Sequence, residues 1–179
     1  MPEIEVRPAA EPDIANLVNL DHSYTSDQMW QMETQPEGHA LGALFRQERL
    51  PRAVRVDYPR PVQALKQDWQ SRSSVLVAAL AGEPVGYASL ALDRMASTAW
   101  MTDLVVAPRL RRQGIGSALV LAGLDWAAHH HRNRLVLEMQ PRNFPAVNFA
   151  QVLGFDFAGY LEAYYPNQDI ALLFAKWVT

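Results

Sequence analysis

The order of predicted elements puts this chain in the α+β class: a mixed, mostly antiparallel central sheet flanked by helices. Three observations predict it. Residues 75–106 read as three consecutive strands with short connections, which is the pattern of an antiparallel meander. Helical patterns over about 114–130 and 145–153 stand on either side of one buried strand, 134–139. A strand and a helix come before this block, and two strands close the chain.

The elements follow in order. Ile4, Glu5, Val6 and Arg7 alternate apolar and polar as a short strand does, and Pro8 stops it. Glu11, Pro12 and Asp13 place a proline and two acids in a first helical turn. Ile14, Leu17 and Val18 continue at helical spacing, so a helix is expected over about 12–20. Residues 22–33 are polar with scattered aromatics. The alternation over 52–58 suggests a strand, and Leu50-Pro51 could turn between two strands, which gives a hairpin from about 39 to 58. Val62, Leu65 and Trp69 suggest a short helix.

From residue 74 the signals sharpen. An apolar run at 75–80, a turn over 81–84 and a return strand at 85–92 lead through a polar loop, 93–98, into a strand at 99–106. Strict alternation there would put Trp100, Thr102, Leu104 and Val106 on one face and Met101, Asp103 and Val105 on the other. The helix at about 114–130 is apolar around much of its circumference, so it packs on several sides. Gly154 is placed to terminate the helix at 145–153, and strands are expected at 155–160 and 169–178.

Composition narrows the function. The 179 residues are 49% apolar and 20% charged, which is one globular domain's worth of chain. Sixteen basic against nineteen acidic residues leave a net charge of -3, which disfavours general nucleic-acid binding. With zero cysteines there is no disulfide framework, thiolate zinc site or cysteine nucleophile. No secretory leader and no membrane-length apolar run is read, so the expected setting is cytoplasmic, without a membrane partner. His129, His130 and His131 do not form a metal motif, because adjacent helical side chains diverge by about 100°, and no metal is expected.

The segment 103–116, DLVVAPRLRRQGIG, carries the most chemistry. It reads as a strand, an arginine-rich loop and the start of an apolar helix. A helix N-terminus presents unpaired N–H groups and the positive end of its dipole, the makings of an anion site. Gly114 and Gly116 let an anion approach the backbone, and Arg109, Arg111 and Arg112 concentrate positive charge suited to a pyrophosphate. A dinucleotide fingerprint would need a third glycine where Leu119 stands, and no Gly-Lys-Ser/Thr follows. A solvated turn with glycines that merely relieve crowding is the competing reading.

Val106-Ala107-Pro108, Arg111, Gly114-Ile115-Gly116 and Leu119 together resemble the acetyl-CoA signature of the GNAT superfamily of N-acetyltransferases. Downstream, Asn143, Ala146, Phe149 and Leu153-Gly154-Phe155 resemble the segment after that family's fifth strand. The resemblance covers roughly 75–178, and residues 4–20 fit the family's first strand and helix. It implies one acetyl-CoA-binding domain over 1–179, with 22–73 as a variable acceptor-side segment. The family's fourth and fifth strands, here 99–106 and 134–139, splay apart in that fold. The pyrophosphate would sit on the backbone of Arg111, Arg112, Gln113, Gly114, Ile115 and Gly116, with Ser117 as a further donor. The pantetheine arm would pair with Leu104, Val105 and Val106, and Asn143 and Phe149 would face the cofactor.

The implied reaction is direct attack of a primary amine, on a protein N-terminus or a small molecule, on the thioester. An α-amine near pKa ~7.8 costs about 1 kcal/mol to deprotonate at pH 7, and an alkyl amine near ~10.4 about 4.6. Glu138, among apolar neighbours on its strand, is the first candidate base, since burial raises a carboxyl group toward useful values. Asp103 is the second; for both, a structural role competes. Leu137-Glu138 with Asn143, and the Tyr164-Tyr165-Pro166 run, also resemble N-terminal-amine acetyltransferases that modify ribosomal proteins, which makes Tyr164 and Tyr165 substrate-side candidates. The sequence departs from the family at Ala150, where a tyrosine acid is usual. That departure keeps a second function in view, a catalytically weak CoA-binding sensor or regulatory domain. Homodimers are common in the family, so a second copy is a compatible partner.

Overall fold

The computed structural model describes residues 3–34, 38, 39, 41–92 and 97–179. Among the described residues, nine strands and four α-helices run in the order β1 (Ile4–Pro8), α1 (Glu11–Val18), β2 (Tyr24–Thr34), β3 (Ala43–Val56), α2 (Gln63–Asp68), β4 (Ser74–Leu80), β5 (Glu83–Leu92), β6 (Thr98–Val106), α3 (Ile115–His129), β7 (Arg134–Met139), α4 (Phe144–Val152), β8 (Asp156–Leu161) and β9 (Ala171–Trp177). Seven of these strands form the central sheet in the order β1-β4-β5-β6-β7-β9-β8. Every neighbouring pair is antiparallel except β6–β7. The α+β class and the meander are therefore as the sequence indicates. Of the polar loop read at 93–98, residues 93–96 lie outside the described residues.

Each sheet face has its own core. On one face, Leu90, Met101, Leu135, Leu137 and Phe174 pack against Ile115, Leu119 and Val120 of α3 and Val147 and Ala150 of α4. On the other, Val75, Val77, Tyr87 and Val105 pack against Ile14 and Leu17 of α1 and Leu65 of α2. The helix ends are fixed locally. Asp13 accepts from the Ala10 N–H at 2.8 Å and pairs with Arg7 at 2.6 Å, which anchors α1 to β1. Asn143 accepts from the Ala146 N–H at 3.1 Å and caps α4, and Gly154, at φ 78°, follows the other end of that helix.

Two expectations are corrected. The hairpin is not confined to 39–58, and Leu50-Pro51 is not its turn. β2 and β3 form a separate two-stranded sheet, and Pro51 lies inside the 14-residue β3. The pairing jumps from Ser26↔Val54 to Gln28↔Arg49, so the proline falls on an irregularity where no ladder N–H is needed. The strict alternation of β6 also fails. Asp103 pairs with Ser89, but Met101 pairs with Leu90, so Thr102 is an extra residue in the strand. This bulge changes the phase. Met101, Leu104 and Val106 share the α3 face, while Val105 joins the core beneath α1 and α2.

The hairpin is anchored across the sheet. Trp30 N–H donates to Pro141 O at 2.9 Å, Tyr24 Oη donates to Gln140 Oε1 at 2.8 Å, and Phe45 packs edge-on against Phe157 and Tyr160. No helix among the described residues is long and apolar enough to cross a membrane.

Candidate active site

The site begins where the sheet comes apart. β6 and β7 pair in parallel only from Thr98↔Arg134 to Met101↔Leu137, and the ladder stops at the Thr102 bulge. Residues 102–106 of β6 and Glu138 and Met139 of β7 continue past that point without pairing to each other.

The start of α3 lies beyond the end of β6. Arg112 at φ 62° and Gly114 at φ 87° turn the chain through the left-handed region, and Gly114 makes that turn with open space where a Cβ would project. The first bond in the helix ladder runs from Ala118 N–H to Gly114 O at 3.0 Å. The N–H groups of Ile115, Gly116 and Ser117 therefore lie ahead of the ladder and are available to an anion. Arg111 staples this turn. Its Nε donates to Val106 O at 2.9 Å and its Nη2 to Ser23 O at 2.8 Å, which joins the end of β6 to the segment before β2.

A groove of about 640 Å³ runs from this helix terminus toward the β6–β7 gap. Leu104, Val105 and Val106 line it from β6. Arg111, Arg112, Gly114, Gly116 and Ser117 line it from the turn, and Asn143 and Phe149 from the cap and body of α4. Two predicted residues stand apart. Ile115 is 2% exposed, with its side chain in the core, so only its main chain can reach a ligand. Gln113 turns back to the Arg109 carbonyl at 3.3 Å. His22 and Tyr24, which the sequence did not single out, form part of the groove wall.

The groove continues into a smaller pocket of about 70 Å³, and the two share Tyr58, Leu104, Asn143, Ala146 and Phe149. Glu138 lines this inner end. It alternates with Leu137 and Met139, which belong to the α3-side core, so its carboxylate projects from the other face. The side chain is 0% exposed. Arg60 donates to Oε1, and Tyr164 Oη donates to Oε2 at 2.6 Å. Burial raises the Glu138 pKa above the usual carboxylate range, and the Arg60 charge opposes that rise.

Asp103 sits on the neighbouring strand with its side chain 4% exposed, and it is fully engaged. Tyr58 Oη donates to Oδ1, Arg72 Nη1 to Oδ2 at 2.9 Å, and Arg60 Nη1 lies 3.7 Å from Oδ1. Burial, reinforced by nearby carboxylates, raises the pKa of Tyr58, Tyr164 and Tyr165, so all three phenols stay protonated. Ala150, at the position where a tyrosine is usual, is packed in the α3-side core and contributes no polar atom.

The structure thus brings Glu138, Tyr164 and Tyr165 together at the inner end, with Asp103 one strand away. Sequence reasoning missed Arg60 and Arg72. Arg60 carried one legible signal: it stands between Pro59 and Pro61, which restrict the backbone that presents it.

Comparison with known proteins agrees with this architecture. The family description "Acetyltransferase (GNAT) family" matches residues 23–155. A streptothricin acetyltransferase from Streptomyces lavendulae is 28% identical over 165 residues, covering 91% of this chain and 87% of that protein. The crystal structure of a nourseothricin acetyltransferase superposes with a TM-score of 0.84 at 21% identity, covering 98% of this chain and 99% of that one. That of the ribosomal-protein-S18-alanine N-acetyltransferase from Escherichia coli gives 0.67 at 17% identity, covering 99% and 95%. With its family matched over most of its length, this chain belongs to the GNAT acetyltransferases and is an acetyl-CoA-dependent N-acetyltransferase.

Proposed function

We propose that this enzyme acetylates a primary amine on a small basic molecule of the streptothricin kind, with Glu138 as the general base. The observation that carries the reading is the buried Glu138 carboxylate at the inner end of a groove that starts at an open helix N-terminus. An alkyl amine near pKa ~10.4 needs such a base, whereas an α-amine near ~7.8 needs it far less. The similarity to streptothricin acetyltransferase over nearly the whole of both chains favours a small-molecule acceptor over a protein N-terminus.

In this reading the main-chain N–H groups ahead of α3 hold the pyrophosphate, and the unpaired edge of β6 holds the pantetheine arm. The amine nitrogen attacks the thioester carbonyl, and its proton passes to Glu138. The new C–N bond forms and the C–S bond breaks, with the electron pair leaving on sulfur. A tyrosine whose pKa is held above its ordinary value near ~10 is a reluctant donor to a thiolate near ~8.5, so water reprotonates the sulfur. Asp103, saturated by Tyr58, Arg72 and Arg60, acts as a positioning residue.

The test is thiol release from acetyl-CoA with streptothricin, simple diamines and peptides bearing a free N-terminus. Turnover is expected on streptothricin, with loss on Glu138→Gln. Turnover confined to the peptides would overturn the acceptor assignment. Tight acetyl-CoA binding without turnover on any amine would favour the sensor reading instead.

A further inference from the structure

Arg60 occupies a position that acetyl transfer by itself does not explain. It lies between the two prolines that precede α2, on the segment that leads from the β2–β3 hairpin. Its guanidinium crosses the place where the β6–β7 ladder ends. Nη1 donates to Thr102 O at 2.7 Å, the carbonyl of the bulge residue on β6, and Nη2 donates to Glu138 Oε1 on β7. Nη1 also lies 3.7 Å from Asp103 Oδ1. The guanidinium carbon stacks 5.0 Å from the Tyr165 ring centre and 5.8 Å from that of Tyr164. One cation therefore bridges two strands that no longer pair, and the planar fork is what lets it address both.

We infer that Arg60 is a positioning residue for acetyl transfer: it clamps the Glu138 carboxylate across the open end of the β6–β7 gap, and so couples the acceptor-side segment to the base. The inference rests on Glu138 serving as base. The geometry leaves Oε2 directed to Tyr164 and fixes the carboxylate in one orientation. An unpaired carboxylate with no exposed surface would otherwise take up a proton.

The charged and titratable groups around Glu138 come from three places. Arg60 comes from the segment before α2, Tyr164 and Tyr165 from the turn after β8, and Asp103 from β6. Arg60 is the cation among them. Removing it leaves burial and the Asp103 charge, which favour the protonated acid, opposed by the Tyr164 hydrogen bond alone.

The test compares Arg60→Gln and Arg60→Lys with the wild-type chain by two readouts. The first needs no acceptor: the ¹³C resonance of the Glu138 carboxyl in labelled protein, assigned by its loss in Glu138→Gln, is followed against pH. Its midpoint is expected to rise by about one to three pH units in Arg60→Gln. Arg60→Lys, which keeps the charge but loses the fork, should fall between the two. The second is the pH profile of kcat/KM, whose acid limb should move with that midpoint while acetyl-CoA affinity stays within about twofold.

An Arg60→Gln midpoint equal to the wild-type one overturns the inference. If Arg60→Gln does not fold, an Arg60→Lys midpoint and kcat equal to wild type overturn it. A moved midpoint in an enzyme that acetylates none of the tested amines would count against the acceptor assignment and not against the clamp.

Discussion

Gly116→Glu separates the fold of the α3 terminus from its ligand. In the folded chain the substitution is close to neutral. Glutamate is a better helix former than glycine by about 0.5 kcal/mol or somewhat more, and an acid in a first helical turn adds about 0.3–1 kcal/mol. Against this, a Cβ at 116 would lie 3.3 Å from Phe149 Cζ and 3.5 Å from Cε2, so the ring must give by a few tenths of an ångström. The net effect on stability is within about 1 kcal/mol.

Ligand binding responds in the opposite direction. A carboxylate about 6 Å from each phosphate repels it by about 1–3 kcal/mol at effective dielectrics between those of a protein surface and water. With two phosphates and partial screening, about 2–4 kcal/mol is lost, a fall in affinity of about 30- to 1,000-fold. Titration calorimetry with acetyl-CoA, alongside thermal melting of the ligand-free protein, reads both effects. A variant with unchanged melting and an affinity within about threefold of wild type would refute the placement of the pyrophosphate at this terminus.

Two more predictions concern the walls of the groove. In Gly86→Ala the new Cβ would sit 2.7 Å from Val105 O and 3.3 Å from Val106 Cα, both main-chain atoms, so β6 must move. A loss of about 1–3 kcal/mol by urea denaturation is expected, together with weaker acetyl-CoA binding, because the displaced residues line the groove. His22 is buried, with Nδ1 2.8 Å from Leu20 O and Nε2 3.1 Å from Tyr87 Oη. Burial lowers its pKa, against the pull of Asp103 and Asp21. The unfolded chain then binds more protons than the folded one between the lowered value and about 6.5, so this contribution is whole above ~6.5 and is lost as pH falls. His22→Gln should flatten the acid side of the stability–pH curve; an unchanged slope there would show that the imidazole does not titrate between the two states.

The fold was legible where periodicity and punctuation agree, from residue 74 onward, and at β1 and α1. It was only partly legible over 22–58: the strand read from alternation at 52–58 falls on the end of β3, but β2 and β3 pair mainly with each other and their other solvent-facing residues give no clean alternation. Pro51 then imitates a turn while lying in a bulge. The turn into α3 could be read because its arginines and glycines punctuate the passage from an apolar strand to an apolar helix. Glu138 could be read from its apolar neighbours. The Arg60 clamp could not, because its partners, Thr102 and Glu138, lie 42 and 78 residues away in sequence. The bulge that exposes the Thr102 carbonyl leaves no compositional trace.

That bulge makes the inner end of the site depend on parity. Ironing the bulge flat with Thr102 kept, so that β6 alternated strictly beyond Met101, would swap the sides of every residue from 103 to 106 at once. The acid now bound by two arginines would be driven into oil, and the aliphatic wall of the groove would turn to the far side. A bulge is often a local irregularity, but here the odd residue sets the phase on which the cleft is built.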